Sequence, residues 1–297
     1  MSGDRRPSGL TRNLNAKIAA VPMILTALVV FVGCSIWSIG YSFTSSNSLP
    51  VNEFVGLAQY ERLFKTSRWI VSLKNIAIYG VFSIFFSLTM GFLLAALLDQ
   101  KVRFENVFRT IFLYPFALSF IVTGLVWQWI LNPTFGIEHV VRGLGFETFS
   151  FAPLSDRNTV IYALLIAGLW QGTGLVMAIM LAGLRGVDEE IWKASRVEGI
   201  PAWRVYVSVI IPMMKPVFVT TLVLIGSGIV RLYDLVIAMT NGGPGASSEV
   251  PAKYVYDFMF SRGNLGQGLA ASTIMLIVVI TIMIPWIYIE YGPKKRA

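Results

Sequence analysis

The sequence has almost no side chains suited to metal or disulfide chemistry. Its 297 residues include a single cysteine, Cys34, and a single histidine, His139. One cysteine cannot form a disulfide within the chain, and one histidine cannot build a metal cluster. The sequence also contains no P-loop of the form G-x-x-x-x-G-K-[S/T], no dinucleotide-binding fingerprint and no Ser/His/Asp set. We therefore expect no catalytic site, no metal and no cofactor on this chain.

Charged residues are also scarce. They make up 13% of the chain, compared with roughly 25% in a soluble domain. Apolar residues make up 55% and the mean hydropathy is +0.68, which indicates an all-α polytopic membrane protein. The net charge of +8 could suggest a nucleic-acid partner. With this hydropathy, basic cytoplasmic loops explain the charge better, so we expect contact with membrane lipid and not with nucleic acid.

Six apolar runs are long enough to cross a bilayer, which takes about 20 residues. The first run follows a polar segment, residues 1–17, and is too long to be the apolar part of a signal peptide. We expect residues 18–291 to form one membrane domain, followed by a polar tail at 292–297. The six predicted spans are 18–43, 72–98, 108–132, 159–184, 209–239 and 267–290.

Lysine and arginine are distributed unevenly over the predicted loops. The segments on one side hold 14 of these residues and the segments on the other side hold 7. The positive-inside rule places the richer side in the cytoplasm. This predicts that both ends of the chain and residues 185–204 lie on the cytoplasmic side of the membrane.

The most polar internal stretch, residues 184–216, lies between the fourth and fifth runs. Three acidic residues open it, as favoured at a helix N-terminus. Gly199 then interrupts it, as a residue with positive φ would at a helix C-terminus, and Pro201 could begin a second short helix. The pattern predicts a helix–turn–helix at the membrane surface, with an ordinary polar connection as the alternative. Its small residues, which a partner protein could approach closely, are Ala194, Ser195 and Gly199.

This stretch resembles the coupling motif of binding-protein-dependent ABC importers, E-A-A-x-x-x-G, nine residues, I-x-L-P. The sequence K-A-S-R-V-E-G begins at Lys193, where the family has Glu, and V-I-I-P follows after nine residues. The resemblance implies an ABC type I importer permease fold. Its coupling helices, residues 188–204, would dock on a cytoplasmic ATPase, which would bind ATP and Mg²⁺. The implied ATPase-coupling residues are Glu190, Lys193, Ala194, Ser195, Glu198, Gly199 and Trp203.

The fifth run carries Arg231 and Asp234 well inside its length. A charge at the bilayer centre costs about 2.5–3.5 kcal/mol on insertion scales, so such residues are candidates for function. Their spacing of three would place them on one helical face, where they could pair. With Tyr233 between them they could form a sugar site, because a sugar offers hydroxyls and apolar ring faces. The alternative is an ion pair that only braces the helix bundle.

The segment T-N-G-G-P, residues 240–244, resembles the T-x-G-G-P signature of permeases for oligosaccharides and glycerol phosphate, of the maltose-F type. The resemblance implies that the preceding face, Ser227, Arg231, Tyr233 and Asp234, binds a sugar. It also implies three kinds of partner: a second permease subunit, two cytoplasmic ATPase subunits and an extracytoplasmic solute-binding protein. The rival hypothesis is a stand-alone ion-coupled secondary transporter, which would use titratable groups at the membrane midplane and inverted repeats.

Two further segments are candidates for function. The fourth run contains Trp170, Gln171 and Thr173, which could either form hydrogen bonds between helices or line the substrate path. The aromatic-rich segment 251–261 predicts a short helix at the outer interface, either as a docking surface for the binding protein or as an interfacial anchor. A second short helix is predicted at 136–143.

Overall fold

The computed structural model describes residues 14–100 and 102–291. Over these residues the chain is helical, with one isolated β-bridge between Thr44 and Phe54 and no strand. Residues 1–13 of the predicted first tail and the whole predicted tail 292–297 lie outside the described residues. The words cytoplasmic and outer below refer to the predicted orientation.

Four helical segments could each cross a membrane without interruption: Ala19–Tyr41, Ser67–Leu98, Val160–Arg185 and Leu265–Tyr288. The first combines α1 (Leu14–Ala27), a π-helical turn (Leu28–Gly33) and α2 (Cys34–Tyr41). The others are α4 (Ser67–Leu98), which begins before the predicted residue 72, α8 (Val160–Arg185) and α15 (Leu265–Tyr291). Short helix α3 (Ala58–Lys65) precedes α4, and α7 (Ile137–Gly143) confirms the short helix predicted at 136–143.

The third and fifth predicted spans are not single straight helices, because each is bent at a short break. In the third, α5 (Glu105–Leu113) and a 3₁₀ turn (Tyr114–Ala117) meet α6 (Phe120–Ile130) at 98°. Pro115 lies at this bend, where it cannot donate a helical hydrogen bond. The described residues offer up to six candidate membrane crossings when each bent pair is counted as one.

The fifth span is divided twice. Its cytoplasmic limb consists of α10 (Ala202–Val205), a π-helical turn (Tyr206–Ile210) and α11 (Ile211–Met213). It meets α12 (Lys215–Val230) at 71°, and Met214 lies between the two. After a break at 231–233, α13 (Asp234–Thr240) continues. Proline flanks the first division on both sides, at residues 212 and 216.

Close helix contacts hold this arrangement together. A Cβ on Gly91 in α4 would lie 2.5 Å from Val176 Cγ1 in α8, and a Cβ on Gly124 in α6 would lie 2.5 Å from Ala238 Cβ in α13. Only glycine permits such an approach of two helix backbones. The cytoplasmic half of the core contains Met177, Met180, Leu184, Ile210 and Met214, and the outer half contains Tyr79, Leu164, Leu235 and Met239.

Candidate functional site

Helix α9 (Glu189–Val197), in the predicted coupling segment, has the start and the end that the sequence predicts. The side chain of Asp188 caps it by accepting a hydrogen bond from the backbone N–H of Glu190, at 3.0 Å. At the other end Gly199 has φ +68°, and Ile200 N–H donates to the Ser195 carbonyl at 3.0 Å. This is a Schellman motif, which reverses the chain sharply at a left-handed glycine.

Two details of the predicted coupling segment need correction. Pro201 is the cap of α10 and not its first residue, since its ψ of 140° is extended. Ser195 is buried, and its hydroxyl donates to the carbonyl of Trp192 at 3.0 Å, so it lies on the inner face of α9 and not on a surface open to a partner. The remaining predicted coupling residues are exposed: Glu190, Lys193, Ala194, Glu198, Gly199 and Trp203.

The exposed surface of the coupling segment is both charged and apolar. Lys193, at the position of the family Glu, contacts Glu190 one turn earlier at 3.0 Å. Both side chains are more than half exposed, so this pair contributes little stability. Val197 is 89% exposed and Trp203 is 67% exposed. Our sequence analysis overlooked Val197, which adds an apolar side chain to this surface.

A row of aromatic rings connects α9 with the membrane helices. The ring centroids of Trp192 and Tyr206 are 5.2 Å apart, those of Tyr206 and Phe92 are 6.1 Å apart, and those of Phe92 and Phe218 are 5.6 Å apart. The row runs from the coupling helix through the cytoplasmic limb of span five to α4 and α12. Sequence patterns do not indicate this row of rings, because its members are far apart along the chain.

An ionic cluster holds the start of the coupling segment. Arg185, the last residue of α8, contacts Glu105 at 2.6 Å and Asp99 at 3.8 Å, and so connects the cytoplasmic ends of spans two, three and four. Burial raises the pKa of the Asp99 carboxyl above its usual value, Arg185 opposes this shift, and Glu105 adds to it. The shift indicates that Asp99 is not fully compensated in its charged form.

The break in span five lies at the predicted substrate residues Arg231 and Asp234. Helix α12 ends at Val230, and Asp234 begins α13. The prediction that Arg231 and Asp234 share a helical face and form a pair is therefore wrong. Among the described residues no carboxylate lies within 4.0 Å of Arg231, whose Nε donates to the Ser227 carbonyl at 3.3 Å. Both charged side chains are exposed in this chain.

The two other residues predicted here lie beside this break. The hydroxyl of Ser227 donates to the Leu224 carbonyl at 3.0 Å, within its own helix. The ring centroids of Tyr233 and Tyr256 are 5.4 Å apart. Tyr256 belongs to the aromatic-rich segment 251–261, which is called the outer segment below. The break therefore brings together a cation, an anion and two aromatic rings, and the sequence analysis missed Tyr256.

Comparison with known proteins identifies the family of the chain. Residues 83–294 match the family model of the binding-protein-dependent transport system inner membrane component. The chain belongs to this permease family. A probable ABC transporter permease of Pyrococcus horikoshii is 34% identical over 92% of the permease and 94% of its own length. The xylose/arabinose import permease XacH of Haloferax volcanii is 27% identical over 91% of the permease and 86% of its own length.

Solved structures agree on the fold. A chain of a bacterial ABC transporter for import of the acidic polysaccharide alginate superposes with a TM-score of 0.83, at 16% identity, over 96% of the permease and 98% of that chain. Together with the family, this confirms the resemblance to ABC importer permeases and the predicted all-α fold. The rival hypothesis of a stand-alone secondary transporter is not favoured, because the family works with a binding protein.

In the permease the three residues predicted in span four have different environments. Gln171 is buried, and its Nε2 donates to the Leu118 carbonyl at 2.7 Å, at the bend of span three. Thr173 donates to the Leu169 carbonyl of its own helix at 2.6 Å. Trp170 is 41% exposed and packs edge-on against Trp127. The structure favours the helix–helix hydrogen bond for Gln171, and a role in the path stays a prediction, strongest for Trp170.

The outer segment forms the predicted short helix, α14 (Pro251–Tyr256), continued by a π-helical turn (Asp257–Ser261). A buried ionic network fixes it to α4. Arg68 binds both Glu249 and Asp257, and Lys253 contacts Asp257 at 2.7 Å. Burial alone would raise the pKa of Asp257, but the hydrogen bonds from Lys253 and Arg68 outweigh it and lower the pKa. This network was not predicted.

Proposed function

We propose that the permease forms half of the translocation path of an ATP-driven importer for a sugar or oligosaccharide. The observation that carries the proposal is the break at 231–233, which leaves Arg231 and Asp234 exposed and Tyr233 partly exposed within an apolar span. Non-helical backbone at membrane depth is tolerated where it lines a cavity, and transporters place substrate sites at such breaks. The import of pentoses by the Haloferax relative supports the sugar class.

The chemistry of the three side chains suits a sugar. The Arg231 guanidinium has only donors and the Asp234 carboxylate only acceptors, so together they can serve both halves of a hydroxyl group. Because they do not pair with each other, both are available to a ligand. The face of Tyr233 offers an apolar surface to a pyranose ring. A neutral glycoside such as an α-glucoside and a charged sugar derivative both fit this set.

The coupling segment supports the second half of the proposal. The exposed surface of α9 and its Gly199 turn has the shape of a short docking element. It would fit a groove on one of two cytoplasmic ATPase subunits, which carry ATP and Mg²⁺, while the chain itself binds no cofactor and catalyses no reaction. A second, different permease subunit would complete the path, and a solute-binding protein would deliver the sugar from outside. The basic residues on the α9 side support a bacterial inner membrane with both chain ends in the cytoplasm.

Reconstitution tests this function. The permease is expressed with the second permease, the ATPase and the binding protein encoded beside it, and the complex is placed in liposomes containing ATP. We expect uptake of labelled sugar from a panel of pentoses, disaccharides and malto- and xylo-oligosaccharides, and none when the P-loop lysine of the ATPase is replaced. Uptake driven by an ion gradient without ATP, or by the permease alone, would contradict the proposal.

The site is tested with Asp234→Ala in the same liposomes. Loss of a charge-assisted hydrogen bond is worth about 1.5–3 kcal/mol, so we expect sugar uptake to fall by about tenfold or more. ATP hydrolysis stimulated by the binding protein should change less, because α9 is untouched. An unchanged uptake rate and sugar preference would remove Asp234 from the substrate path.

A further inference from the structure

The outer segment carries four aromatic residues at alternate positions, and they form two pairs on opposite faces. Tyr254 and Phe258 face the protein: both are buried, their rings stack at 4.1 Å, and Tyr254 packs on Trp69. Tyr256 and Phe260 face outward, with exposed fractions of 46% and 70%, and their ring centroids are 5.1 Å apart. Only the first pair is explained by the stability of the fold.

Tyr256 and Phe260 extend a second row of rings, which starts with Tyr233 at the break in span five. Tyr233 lies 5.4 Å from Tyr256, which lies 5.1 Å from Phe260. Three rings therefore follow one another from the predicted substrate residues to the outer segment. A contiguous exposed aromatic surface of this kind usually serves binding.

The neighbouring charges decide which ligand fits. A protein or lipid covering these rings would also cover Arg231 and Asp234, which are exposed and not paired with each other. Burying such charges without partners is costly. A sugar avoids this cost, because its hydroxyls bond to both charges while its apolar ring faces stack on aromatic rings. A row longer than a single ring suits a chain of sugar units better than a monosaccharide.

We propose that Tyr256 and Phe260 are stacking subsites for the outer units of an oligosaccharide whose inner unit lies at Arg231, Tyr233 and Asp234. The inference rests on the proposed function and adds the substrate class: a chain of at least two sugar units.

The outer segment is rigid enough for this task. Asp257, next to Tyr256 in sequence, is held by Arg68 from α4 and by Lys253 from the preceding turn. Glu249, almost completely buried, binds the same Arg68. Rings fixed in place by such a network lose little freedom when a ligand stacks on them, which favours binding.

The test compares chain lengths in the reconstituted complex at saturating binding protein. The probes are the di- and pentasaccharides of the malto- and xylo- series, and the measured quantity is the ratio of pentasaccharide to disaccharide uptake rates. We expect Tyr256→Ala to lower this ratio about tenfold, the loss of one to two stacking contacts. Tyr256→Phe retains the ring and should keep the ratio within about twofold. Tyr162→Ala, at a tyrosine of similar exposure (43%) that contacts Phe82 in span two, is the matched control and should not change the ratio.

Each of the other outcomes would contradict either the inference or the proposed function. Equal loss for both chain lengths in Tyr256→Ala would mean a structural role, and an unchanged ratio would mean no role; either overturns the inference alone. Efficient crosslinking of Phe260→Cys to the second permease in the assembled complex would assign the rings to that interface and also overturn it. If the intact complex imports none of the sugars, the proposed function fails and the inference fails with it.

Discussion

Replacement of Gly199 by aspartate is the sharpest perturbation of the coupling segment. At φ +68° a residue with a Cβ costs about 1–2 kcal/mol, and aspartate is among the residues that tolerate this region best. A Cβ at this position would meet no atom within 4 Å. The penalty is therefore confined to the end of α9 and is small compared with the 5–15 kcal/mol that stabilise a typical domain.

The substitution should weaken docking on the ATPase far more than it weakens the fold. If the turn lies against a groove, the new carboxylate is buried without a partner, which costs about 3–5 kcal/mol when a buried charge lacks compensation. Since 1.4 kcal/mol corresponds to a factor of ten, the complex should form at least about a hundredfold more weakly. We expect Gly199→Asp to abolish uptake and to lose the ATPase on purification, while the amount inserted in the membrane stays normal.

Gly145→Asp is the matched control. Gly145 also follows a short helix, has φ +103° and leaves open space for a Cβ, but it lies on the predicted outer side. It should carry at least as much backbone strain, because φ +103° lies outside the left-handed region that residues with a Cβ adopt, and should still leave uptake intact. Normal uptake by Gly199→Asp would refute the assignment of α9 as the coupling helix. Loss of membrane insertion in Gly199→Asp alone would show that the strain argument is wrong.

Three further predictions concern the contacts around the two sites. Tyr206→Leu breaks the row of rings from Trp192 to Phe218. It should lower the amount of sugar imported per ATP hydrolysed several-fold without releasing the ATPase, whereas Tyr206→Phe should leave this ratio unchanged. The ratio is measured from sugar uptake and phosphate release in the same liposomes. Because the folded-state pKa of Asp99 is raised, its charge costs stability at neutral pH, so Asp99→Asn should leave the melting temperature unchanged or raise it. Glu105→Gln should lower it slightly, by the ~1 kcal/mol or less of a partly exposed pair. The folded-state pKa of Asp257 is lowered. The stability that its charge contributes is therefore complete above the ordinary aspartate pKa of about 3.9 and is lost as pH falls through the folded-state pKa. Asp257→Asn should melt at a lower temperature than the parent at pH 7, and the two melting temperatures should converge in acid.

Features that depend on a few adjacent residues were predictable from the sequence. The cap at Asp188 and the reversal at Gly199 follow from local backbone preferences, and both are present. The number of crossings follows from the length of the apolar runs. Tertiary packing cannot easily override such signals, because membrane helices must satisfy their backbone hydrogen bonds internally.

Features that depend on interruption or on distant pairing were not predictable. The apolar run through span five is continuous in composition, so nothing showed that the helix stops before Arg231 and resumes at Asp234. The assumption of an unbroken helix therefore predicted a pair between Arg231 and Asp234 that does not form. The contact of Arg68 with Glu249 joins residues 181 positions apart, and no periodicity reports such a distance. The alternation of aromatic residues in 254–260 was visible, but only the fold shows which pair is buried.

The joint at Met214 has a consequence for how force could travel through the permease. The limb on its cytoplasmic side contacts α9 through the rings of Tyr206 and Trp192, and both this limb and α12 pack on Phe92 of α4. The unbranched thioether side chain of Met214 packs into the core near Gly183 and can adapt its shape when the angle between the two limbs changes. A displacement of α9 would then change the angle between the two limbs at Met214, while α12 turns as a rigid helix instead of unwinding.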